Sequence, residues 1–481
     1  MTQTQSRPNI IWISLESVRA DHTSVGGYHR DTTPNLRRIA DLRDGRSFDN
    51  CFSHARWTPA VSSSILTGTY LTTHGVGHAN TRDVRRLPED LQTVPELLSA
   101  TGYATAGFST NPWISDVTGL DRGFERFKAN PNRDDFLSPR GVRAGLKYLR
   151  EFTSTGAGFE TEPIYHAQCL PPYYQCQSLC EWVDDLSADE EDRPYFLYTH
   201  MNSSHHPYNP PLSLLERFLG EFEGTPKEAI ETAKELTNNI WREVAHGCDF
   251  TDQERAALTA VYDAELAFTD HLVGKLFDHV RRNTDEKTVF VVTGDHGELF
   301  GEQGVLGHNL TLHDGLTKVP MVTYGMNFPE RVTEGIVQHV DVMQTLVGAV
   351  GGDTSQFQGV DLTRETRDYA LMQRGPRLDD LDTILEHNPD CDIGRYHAGA
   401  VDCIRSAEWK LQRSDDRTEL FALPDEETNV ADDHPDVAAE MEAKLDEMLP
   451  DKRFDDDDRE AANQVELSSQ MEDHLADLGY L

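Results

Sequence analysis

The stretch Asn9-Ile-Ile-Trp-Ile-Ser-Leu15 is a continuous apolar run of strand length, rich in β-branched residues and bounded by Pro8 and Glu16. Residues 193–199 and 287–293 form two further runs of the same kind. Continuous rather than alternating apolar character is typical of strands buried on both faces, as in a parallel sheet flanked by helices. The three runs therefore predict the central strands of one α/β sheet.

Helical patterns lie between these runs. Residues 91–100 and 256–282 carry apolar side chains at helical spacing. Strands and helices that alternate along most of the chain predict a doubly wound α/β fold.

Changes in composition and hydrophobic pattern along the chain predict three parts. Residues 7–360 form the main domain, with an insertion at about 130–190 where Pro, Tyr and Cys residues interrupt the alternation. Residues 361–430 hold short, separated strand-like pieces, which predict a small antiparallel sheet. Residues 431–481 form an acidic helical tail, in which the acidic run 455–458 is expected to be a solvated linker.

The chain is strongly acidic, with 83 Asp and Glu against 44 Lys and Arg among 481 residues and a formal net charge of −39. Such a charge is repelled by phosphate backbones, so no nucleic acid or anionic membrane is expected as a partner. No apolar run of about 18 residues exists to form a transmembrane segment. Met1–Arg7 lacks the apolar region of a secretory signal, so a cytoplasmic location is expected. Scarce lysine with excess acid favours a halophilic archaeon over an ordinary acidic cytosolic protein, because molar salt screens self-repulsion.

Seven cysteines in a chain of this length do not form a disulfide framework. Cys169, Cys176 and Cys180 lie near His166, a grouping that offers zinc binding as an alternative. The spacing contains no Cys-x-x-Cys pair, so scattered buried thiols are the favoured interpretation.

Carboxylates and imidazoles follow each of the three apolar runs. Glu16 follows the first run, His200 and His205 follow the second, and Asp295-His296 follows the third. Ligands bind at the carboxyl ends of parallel strands, and these side chains hold divalent metals and move protons. Each residue alone is equally explained as a cap or an ion-pair partner. Their coincidence at three strand ends predicts a metal-assisted site.

A fourth segment of interest begins at Trp57-Thr-Pro-Ala. Thr58 followed by Pro59 predicts a helix start, with Thr58 as the N-cap. The Thr58 hydroxyl would then stand at the positive end of a helix, which favours a bound tetrahedral anion. To act as a nucleophile, a threonine hydroxyl needs a metal or a base.

Together these segments resemble the sulfatase branch of the alkaline phosphatase superfamily over about residues 7–425. The matching motifs are Pro8-Asn-Ile-Ile with Arg19-Ala-Asp-His22, Thr33-Pro-Asn-Leu36, Leu66-Thr-Gly68 with His74-Gly75, Leu97-Leu98 with Gly102-Tyr-Ala-Thr-Ala106, His205-His-Pro-Tyr208, Gly294-Asp-His-Gly-Glu298, and Trp409-Lys-Leu411 with Glu419-Leu-Phe421. The resemblance implies an alkaline phosphatase-like α/β fold. Its mixed or parallel sheet would be sandwiched by helices and followed by a small C-terminal antiparallel sheet and a helical tail.

Three positions depart from the sulfatase pattern. Sulfatases carry a Cys or Ser, converted to formylglycine, ten residues before the Gly of their Leu-Thr-Gly element, and counting back from Gly68 reaches Thr58. Ser62 stands where sulfatases have an Arg, and a single Glu16 stands where they usually have an Asp-Asp pair. This combination resembles the lipoteichoic acid synthase group instead. That resemblance implies that one divalent ion is held by Glu16, Thr58, Asp295 and His296.

The same resemblance implies roles for two further histidines. His205 would bind the oxygens of the anion or protonate the leaving group, and His308 would share that work. Arg19, Arg56 and Trp57 are candidate pocket residues, with a surface role as an equal alternative for Arg56. Oxygen-rich ligation with one imidazole suits Mn²⁺, Mg²⁺ or Ca²⁺, with Zn²⁺ as an alternative, and such an ion would lower the pKa of the Thr58 hydroxyl.

The sequence therefore predicts a metal-dependent sulfatase-like hydrolase that cleaves sulfate or phosphate esters through a covalent Thr58 intermediate. The expected partner is a small anionic ester, with a glycan or lipid headgroup implied by family analogy. One alternative is a phosphodiester phosphotransferase acting on a glycan or lipid headgroup, since Thr serves phosphoryl transfer elsewhere in the superfamily. Low-efficiency arylsulfate hydrolysis and a catalytically silent binding protein are further alternatives. The presence of all the implied metal ligands argues against a catalytically silent protein. The absence of Lys or Arg at the positions that would clamp the anion argues for one.

Overall fold

The computed structural model describes residues 7–78, 84–153, 163–283, 287–326 and 328–449. The strands within these ranges are β1 (Asn9–Leu15), β2 (Gly45–Phe52), β3 (Ala104–Ser109), β4 (Arg126–Ala129), β5 (Tyr195–Met201), β6 (Thr288–Gly294), β7 (Leu299–Phe300), β8 (Leu306–Gly307), β9 (Lys318–Tyr324), β10 (Ile336–Gln338), β11 (Ala370–Arg374), β12 (Val401–Arg405), β13 (Trp409–Arg413) and β14 (Thr418–Ala422).

Helices occupy most of the intervening segments. They are α1 (Pro34–Ala40), α2 (Thr58–Thr67), α3 (Leu71–His74), α4 (Val94–Ala100), α5 (Arg133–Leu137), α6 (Pro139–Thr153), α7 (Pro163–Ser187), α8 (Leu212–Leu215), α9 (Pro226–Thr237), α10 (Ile240–Ala245), α11 (Asp252–Asn283), α12 (Asp314–Thr317), α13 (Glu330–Thr333), α14 (His339–Ala349), α15 (Leu378–His387) and α16 (Pro435–Met448). In the ranges given above, none of the helices has both the length and the apolar character needed to cross a bilayer.

Eight strands form one mixed sheet in the order β10-β2-β9-β6-β1-β5-β3-β4. Strand β9 runs antiparallel to both of its neighbours, and the other pairings in this sheet are parallel. Pro320 lies within β9, although proline cannot donate to a sheet ladder. The register between β2 and β9 shifts between Phe48 and Cys51, opposite this proline. The bulge therefore accommodates a proline in an interior strand.

Strand β1 shows why the sheet is covered on both faces. All seven of its residues are buried, as its continuous apolar run predicts. Ile11 and Ile13 pack in one core cluster with α11, and Ile10 and Trp12 pack in the other with α2, α4 and α14. Because successive strand residues point to opposite faces, both faces need a helical layer. The predicted fold class, a mixed sheet sandwiched by helices, is confirmed.

The predicted segments differ from the observed elements mainly at their ends. Strand β1 coincides with its predicted run, whereas β5 and β6 start two residues and one residue later than predicted. Helix α4 is shorter than its predicted range and α11 is longer. The segment predicted as an insertion contains helices α5, α6 and α7, which precede β5 in the chain.

A small antiparallel sheet follows in the order β11-β12-β13-β14, as predicted. Helix α16 packs against it through Met441 and Leu445. Lys410 of β13 is fully buried and connects this sheet to the preceding part of the chain. Its Nζ lies 2.8 Å from Asp314 Oδ1 and 2.6 Å from Glu426 Oε2. The acidic run 455–458 and the end of the predicted tail lie outside the described residues.

None of the seven cysteines, all of which lie in the described ranges, forms a disulfide. Cys169 Sγ lies 3.1 Å from the carbonyl oxygen of Asn209, and Cys176 Sγ lies 3.4 Å from that of Leu272. These contacts favour ordinary buried thiols for both residues. The side chain of His166 lies outside the described part of the structure.

Candidate functional site

Sheet register brings two carboxylates together at the carboxyl end of the central strands. Leu15 pairs with Met201 of β5 on one side and with Gly294 of β6 on the other. The Glu16 N–H donates to Met201 O over 3.0 Å, and the Asp295 N–H donates to Leu15 O over 2.9 Å. Glu16 is 1% exposed and Asp295 is 0% exposed. Two buried carboxylates therefore follow neighbouring parallel strands at the edge of the sheet where α/β proteins bind ligands.

The Thr58 hydroxyl lies between these carboxylates. Its Oγ1 is 3.1 Å from Glu16 Oε1, 2.9 Å from Asp295 Oδ2 and 3.4 Å from His296 Nε2. Helix α2 begins at Thr58 itself, with Trp57 as its N-cap. The prediction that Thr58 is the N-cap is therefore wrong by one residue, and the Thr58 side chain does not cap the helix. Its hydroxyl instead donates to the carboxylates.

Backbone groups orient Asp295 and His296. Asp295 Oδ1 accepts from the N–H groups of Ser17 (3.0 Å) and His296 (2.6 Å), which leaves Oδ2 for Thr58. His296 Nδ1 lies 2.8 Å from Gly297 O, so its N–H donates to that carbonyl and the lone pair of Nε2 faces Thr58. Ser17 has a φ of 57°, which is uncommon for a residue other than glycine. Residues with such backbone conformations cluster at functional sites.

Side chains from two further strands orient Glu16. Asn111 follows β3, and its Nδ2 donates to Glu16 Oε1 over 2.8 Å. His200 lies in β5, with its Nε2 3.1 Å from Glu16 Oε2. Burial lowers the pKa of His200, but the hydrogen bond to Glu16 and the charges of Glu16 and Asp295 outweigh it, and the net pKa is raised. His200 is therefore a charge partner of the carboxylate pair.

This donor set fits a divalent cation. Two buried carboxylates and an imidazole nitrogen approach Thr58 Oγ1 within 3.4 Å. Carboxylates this close together and this deeply buried are costly without a positive charge, and a bound cation supplies it. The predicted ligands Glu16, Thr58, Asp295 and His296 are all brought together, and their oxygen-rich chemistry suits Mn²⁺, Mg²⁺ or Ca²⁺.

Both histidines predicted as catalytic lie beside this donor set. His205 Nε2 is 3.9 Å from Glu16 Oε1. The rings of His308 and His296 have centroids 4.7 Å apart, and those of His308 and His205 are 5.1 Å apart. A third imidazole, that of His206, joins the same group, with its ring centroid 5.5 Å from that of His308.

Glu298 orients the His308 ring through a hydrogen bond with its Nδ1. Its Oε1 lies 3.0 Å from His308 Nδ1, and Tyr208 donates its hydroxyl to Glu298 Oε2 over 3.3 Å. Burial raises the pKa of Glu298 to about 7 and holds the pKa of His308 well below its usual range. The Nε2 atom of a neutral His308 is thus the one left to face the site.

The candidate pocket arginines differ in their placement. Arg56 is 2% exposed, donates from Nη1 to His308 O over 2.9 Å, and lies 5.1 Å from the Trp57 ring centroid. The surface alternative for Arg56 is therefore wrong. Arg19 forms an ion pair with Glu302, with Nη1 2.6 Å from Oε1. Arg19 thus braces the loop after β1 and Arg56 braces the segment that carries His308.

Sequence reasoning did not single out Asn111, His206 or Glu298 as site residues. Asn111 follows β3, whose sequence Ala-Thr-Ala-Gly-Phe-Ser is too weakly apolar to predict a strand. Glu298 was available as the carboxylate two residues beyond the Asp-His pair, and His206 as the neighbour of His205.

Known proteins resemble this chain in sequence. The family model described as Sulfatase matches residues 8–352. Arylsulfatase K of Rattus norvegicus is 23% identical over 293 residues, which cover 55% of this chain and 50% of that protein. The chain thus matches about half the length of that relative. An N-acetylglucosamine-6-O-sulfatase of Bacteroides thetaiotaomicron is 21% identical over 422 residues, covering 74% of this chain and 70% of its own.

Solved structures share the fold. The phosphonate monoester hydrolase of Agrobacterium radiobacter superposes with a TM-score of 0.68 at 20% identity, covering 92% of this chain and 95% of its own. A protein solved in complex with its substrate D-glucosamine-2-N,6-O-disulfate superposes with a TM-score of 0.65 at 18% identity, covering 95% and 99%. The chain therefore has an alkaline phosphatase-like α/β fold, with a large mixed sheet flanked by helices and a small C-terminal antiparallel sheet.

Proposed function

The chain belongs to the Sulfatase family, and we propose that it is a metal-dependent hydrolase that cleaves sulfate or phosphate esters through a covalent intermediate on Thr58. The observation that carries the proposal is the position of the Thr58 hydroxyl. It lies within 3.4 Å of two buried carboxylates and an imidazole nitrogen, at the carboxyl ends of the parallel strands β1 and β6. A threonine needed only for packing has no reason to meet three potential metal ligands.

Asp295 and Glu16 prepare Thr58 for attack. If Glu16, Thr58, Asp295 and His296 hold a divalent cation, that ion would supply the positive charge that makes a Thr58 alkoxide accessible. Asp295 Oδ2, 2.9 Å from Thr58 Oγ1, is placed to accept the hydroxyl proton. Thr58 Oγ1 then forms a bond to the sulfur or phosphorus of the ester while the bond from that atom to the leaving-group oxygen breaks.

His205 and His308 lie beside this group of proposed metal ligands. An imidazole that carries a proton on Nε2 as well as on Nδ1 would bind the anion's oxygens through that N–H or hand the proton to the leaving alcohol. Water completes the cycle when its oxygen bonds to the sulfur or phosphorus and the bond to Thr58 Oγ1 breaks. One proton of that water returns to the histidine, and the proton held by Asp295 returns to Thr58 Oγ1. A water molecule therefore replaces the alcohol, and the enzyme is regenerated.

Phosphoryl transfer is the favoured chemistry of the two. A sulfate ester on threonine lacks the release route that formylglycine gives to sulfatases and would depend on attack of water at sulfur. A phosphate ester on threonine is cleaved by attack at phosphorus, and Thr serves phosphoryl transfer elsewhere in the superfamily. Relatives named for a sulfated amino sugar and for a phosphonate monoester support an anionic ester substrate, with a glycan as the alcohol part. If an alcohol replaces water as acceptor, the same site performs phosphodiester transfer onto a glycan or lipid headgroup.

Intact-mass spectrometry tests the nucleophile. The holoprotein in high salt would be exposed to aryl phosphate diesters, aryl phosphate monoesters and aryl sulfates, and compared with Thr58→Ala and Thr58→Ser. We expect a covalent adduct on the wild type and on Thr58→Ser, which keeps a hydroxyl, and none on Thr58→Ala. Turnover in Thr58→Ala should fall by about 10³-fold or more.

The ester that leaves an adduct identifies the substrate class. Full turnover by Thr58→Ala would refute the covalent route. A wild-type protein that binds no metal and turns over no ester would be a silent binding module on this fold.

A further inference from the structure

Three imidazoles form a second group of potential metal ligands beside the carboxylate site. His205, His206 and His308 are buried, and one nitrogen from each lies within 4.8 Å of the other two. Their exposed fractions are 4%, 5% and 3%. We infer that these three histidines bind a second divalent cation, of the borderline class to which Zn²⁺ belongs.

Hydrogen bonds at the far side of two rings support this inference. His205 Nδ1 donates to the carbonyl oxygen of His206, and His308 Nδ1 lies 3.0 Å from Glu298 Oε1. In both rings Nδ1 is the hydrogen-bonded nitrogen, so Nε2 carries the lone pair on the side of the cluster. A carboxylate or carbonyl behind a histidine is the usual arrangement that fixes the tautomer and direction of a metal-binding imidazole. Tyr208 in turn donates its hydroxyl to Oε2, the other carboxylate oxygen of Glu298.

The donor chemistry distinguishes this cluster from the carboxylate site. Glu16, Thr58 and Asp295 offer oxygen, which hard cations prefer, whereas the cluster offers three nitrogens, which suit Zn²⁺ and leave one coordination position open. Tetrahedral zinc with ordinary bond lengths separates its nitrogen ligands by about 3.3 Å. The histidine nitrogens are at most 4.8 Å apart, so they would have to draw together by up to about 1.5 Å around the ion.

The second cation would lie next to the first site. His205 Nε2 is 3.9 Å from Glu16 Oε1, and the rings of His296 and His308 are 4.7 Å apart between centroids. Resting on the proposed function, the open position would face the leaving-group oxygen, where a cation neutralises the charge that develops as the ester bond breaks. His205 and His308 would then act as ligands rather than as proton donors. His206 distinguishes the two roles. A metal site uses all three imidazoles, whereas proton donation by His205 or His308 does not require the imidazole of His206.

Metal analysis after equilibration with excess Zn²⁺ and desalting tests the second site without reference to activity. We expect His206→Ala to retain about half of the wild-type zinc. Asp295→Asn, which disrupts the carboxylate site, should also retain about half of the wild-type zinc. His246→Ala, a change at an exposed position, should bind as much zinc as the wild type. Equal zinc in His206→Ala and the wild type, or a single ion in the wild type, would overturn the inference.

Cobalt spectroscopy of the folded wild type guards against variants that fail to fold. Co²⁺ with three imidazoles in a low coordination number absorbs more strongly in the visible than Co²⁺ in an octahedral oxygen site. We expect an intense band in the wild type and in Asp295→Asn, and its loss in His308→Gln. A weak octahedral spectrum in the wild type would also overturn the inference. A Thr58 adduct without a second ion would leave the proposed function standing, whereas a second ion without an adduct would remove the function and keep the site.

Discussion

Asn111 and Glu16 are joined by a hydrogen bond of 2.8 Å from Asn111 Nδ2 to Glu16 Oε1, the same oxygen that lies 3.1 Å from Thr58 Oγ1. Asn111 thus orients the carboxylate that faces Thr58, the proposed nucleophile. A side chain from the loop after β3 therefore orients a proposed metal ligand that follows β1.

Removing this donor should weaken metal binding. We expect Asn111→Ala to raise the Kd for Mn²⁺ by about 10- to 100-fold, the usual effect of deleting a group that orients a metal ligand. Isothermal titration calorimetry of metal-free protein measures the change. Asn50→Ala is the matched control, because Asn50 donates to Glu334 O at the protein surface over 2.9 Å. An unchanged Kd in Asn111→Ala would mean that Glu16 does not need this bond or does not bind the metal.

Gly297 is expected to tolerate no side chain. A Cβ at this position would lie 2.0 Å from Gly315 O, a backbone atom that cannot move aside alone. We expect Gly297→Ala to lower the free energy of unfolding by about 3 kcal/mol or more, because overpacking displaces backbone next to the Asp295-His296 pair. Denaturant unfolding measures it. Gly399→Ala, where a Cβ meets nothing within 4 Å, should change stability by less than about 0.5 kcal/mol.

Lys410 should be the most costly charge to remove from the C-terminal sheet. Its buried Nζ lies 2.8 Å from Asp314 Oδ1 and 2.6 Å from Glu426 Oε2. Lys410→Ala therefore removes the ammonium from both carboxylates, although Asp314 keeps its pair with Arg405, 3.0 Å away. We expect a loss of about 3–5 kcal/mol in unfolding free energy. Lys444→Ala removes a comparable pair with Glu447, 2.8 Å long but at the surface, and should cost less than about 1 kcal/mol. Equal losses in the two variants would contradict the structural role of Lys410.

Glu265 should make stability fall as the pH rises. Burial raises the pKa of Glu265 from 4.5 to about 8, partly offset by the Asn209 N–H and by Lys234. Between these two values the folded protein keeps a proton that the unfolded chain has lost. The stabilisation is therefore full below about pH 4.5 and is lost as the pH rises towards 8.

Replacement of Glu265 by glutamine tests this pH dependence. We expect Glu265→Gln to gain stability relative to the wild type by up to about 1.4 kcal/mol per pH unit across that window. Urea unfolding at several pH values measures the difference, with the exposed Glu190→Gln as control. A difference that stays constant with pH would show that Glu265 is ionised in the folded protein.

The central strands could be predicted from the sequence because burial on both faces leaves a continuous apolar run. Strand β1 coincides with such a run. Strand β2 could not be predicted, since its side chains at Arg46, Asp49 and Asn50 break the pattern. Strand β9 carries Pro320, which argues against an interior strand, and only the bulge in β2 explains its presence there.

The candidate site was predictable where a carboxylate or imidazole follows a recognisable strand. Glu16 and the Asp295-His296 pair meet that condition, and the structure brings them to Thr58. Asn111 does not meet it, because the strand before it is built of small residues. His206 was hidden for a different reason: two adjacent histidines share one motif, and only the folded backbone shows that both rings join His308.

The pairing of Leu15 with both Met201 and Gly294 has a consequence for how the chain matures. Strand β1 is a middle strand of the sheet, and its neighbour β6 is synthesised nearly 280 residues after it. Until β6 docks, the edge of β1 that pairs with β6 stays open, and Asp295 and His296 are not yet beside Glu16. If these residues bind an ion as proposed, the chain can capture it only after this long-range pairing has formed.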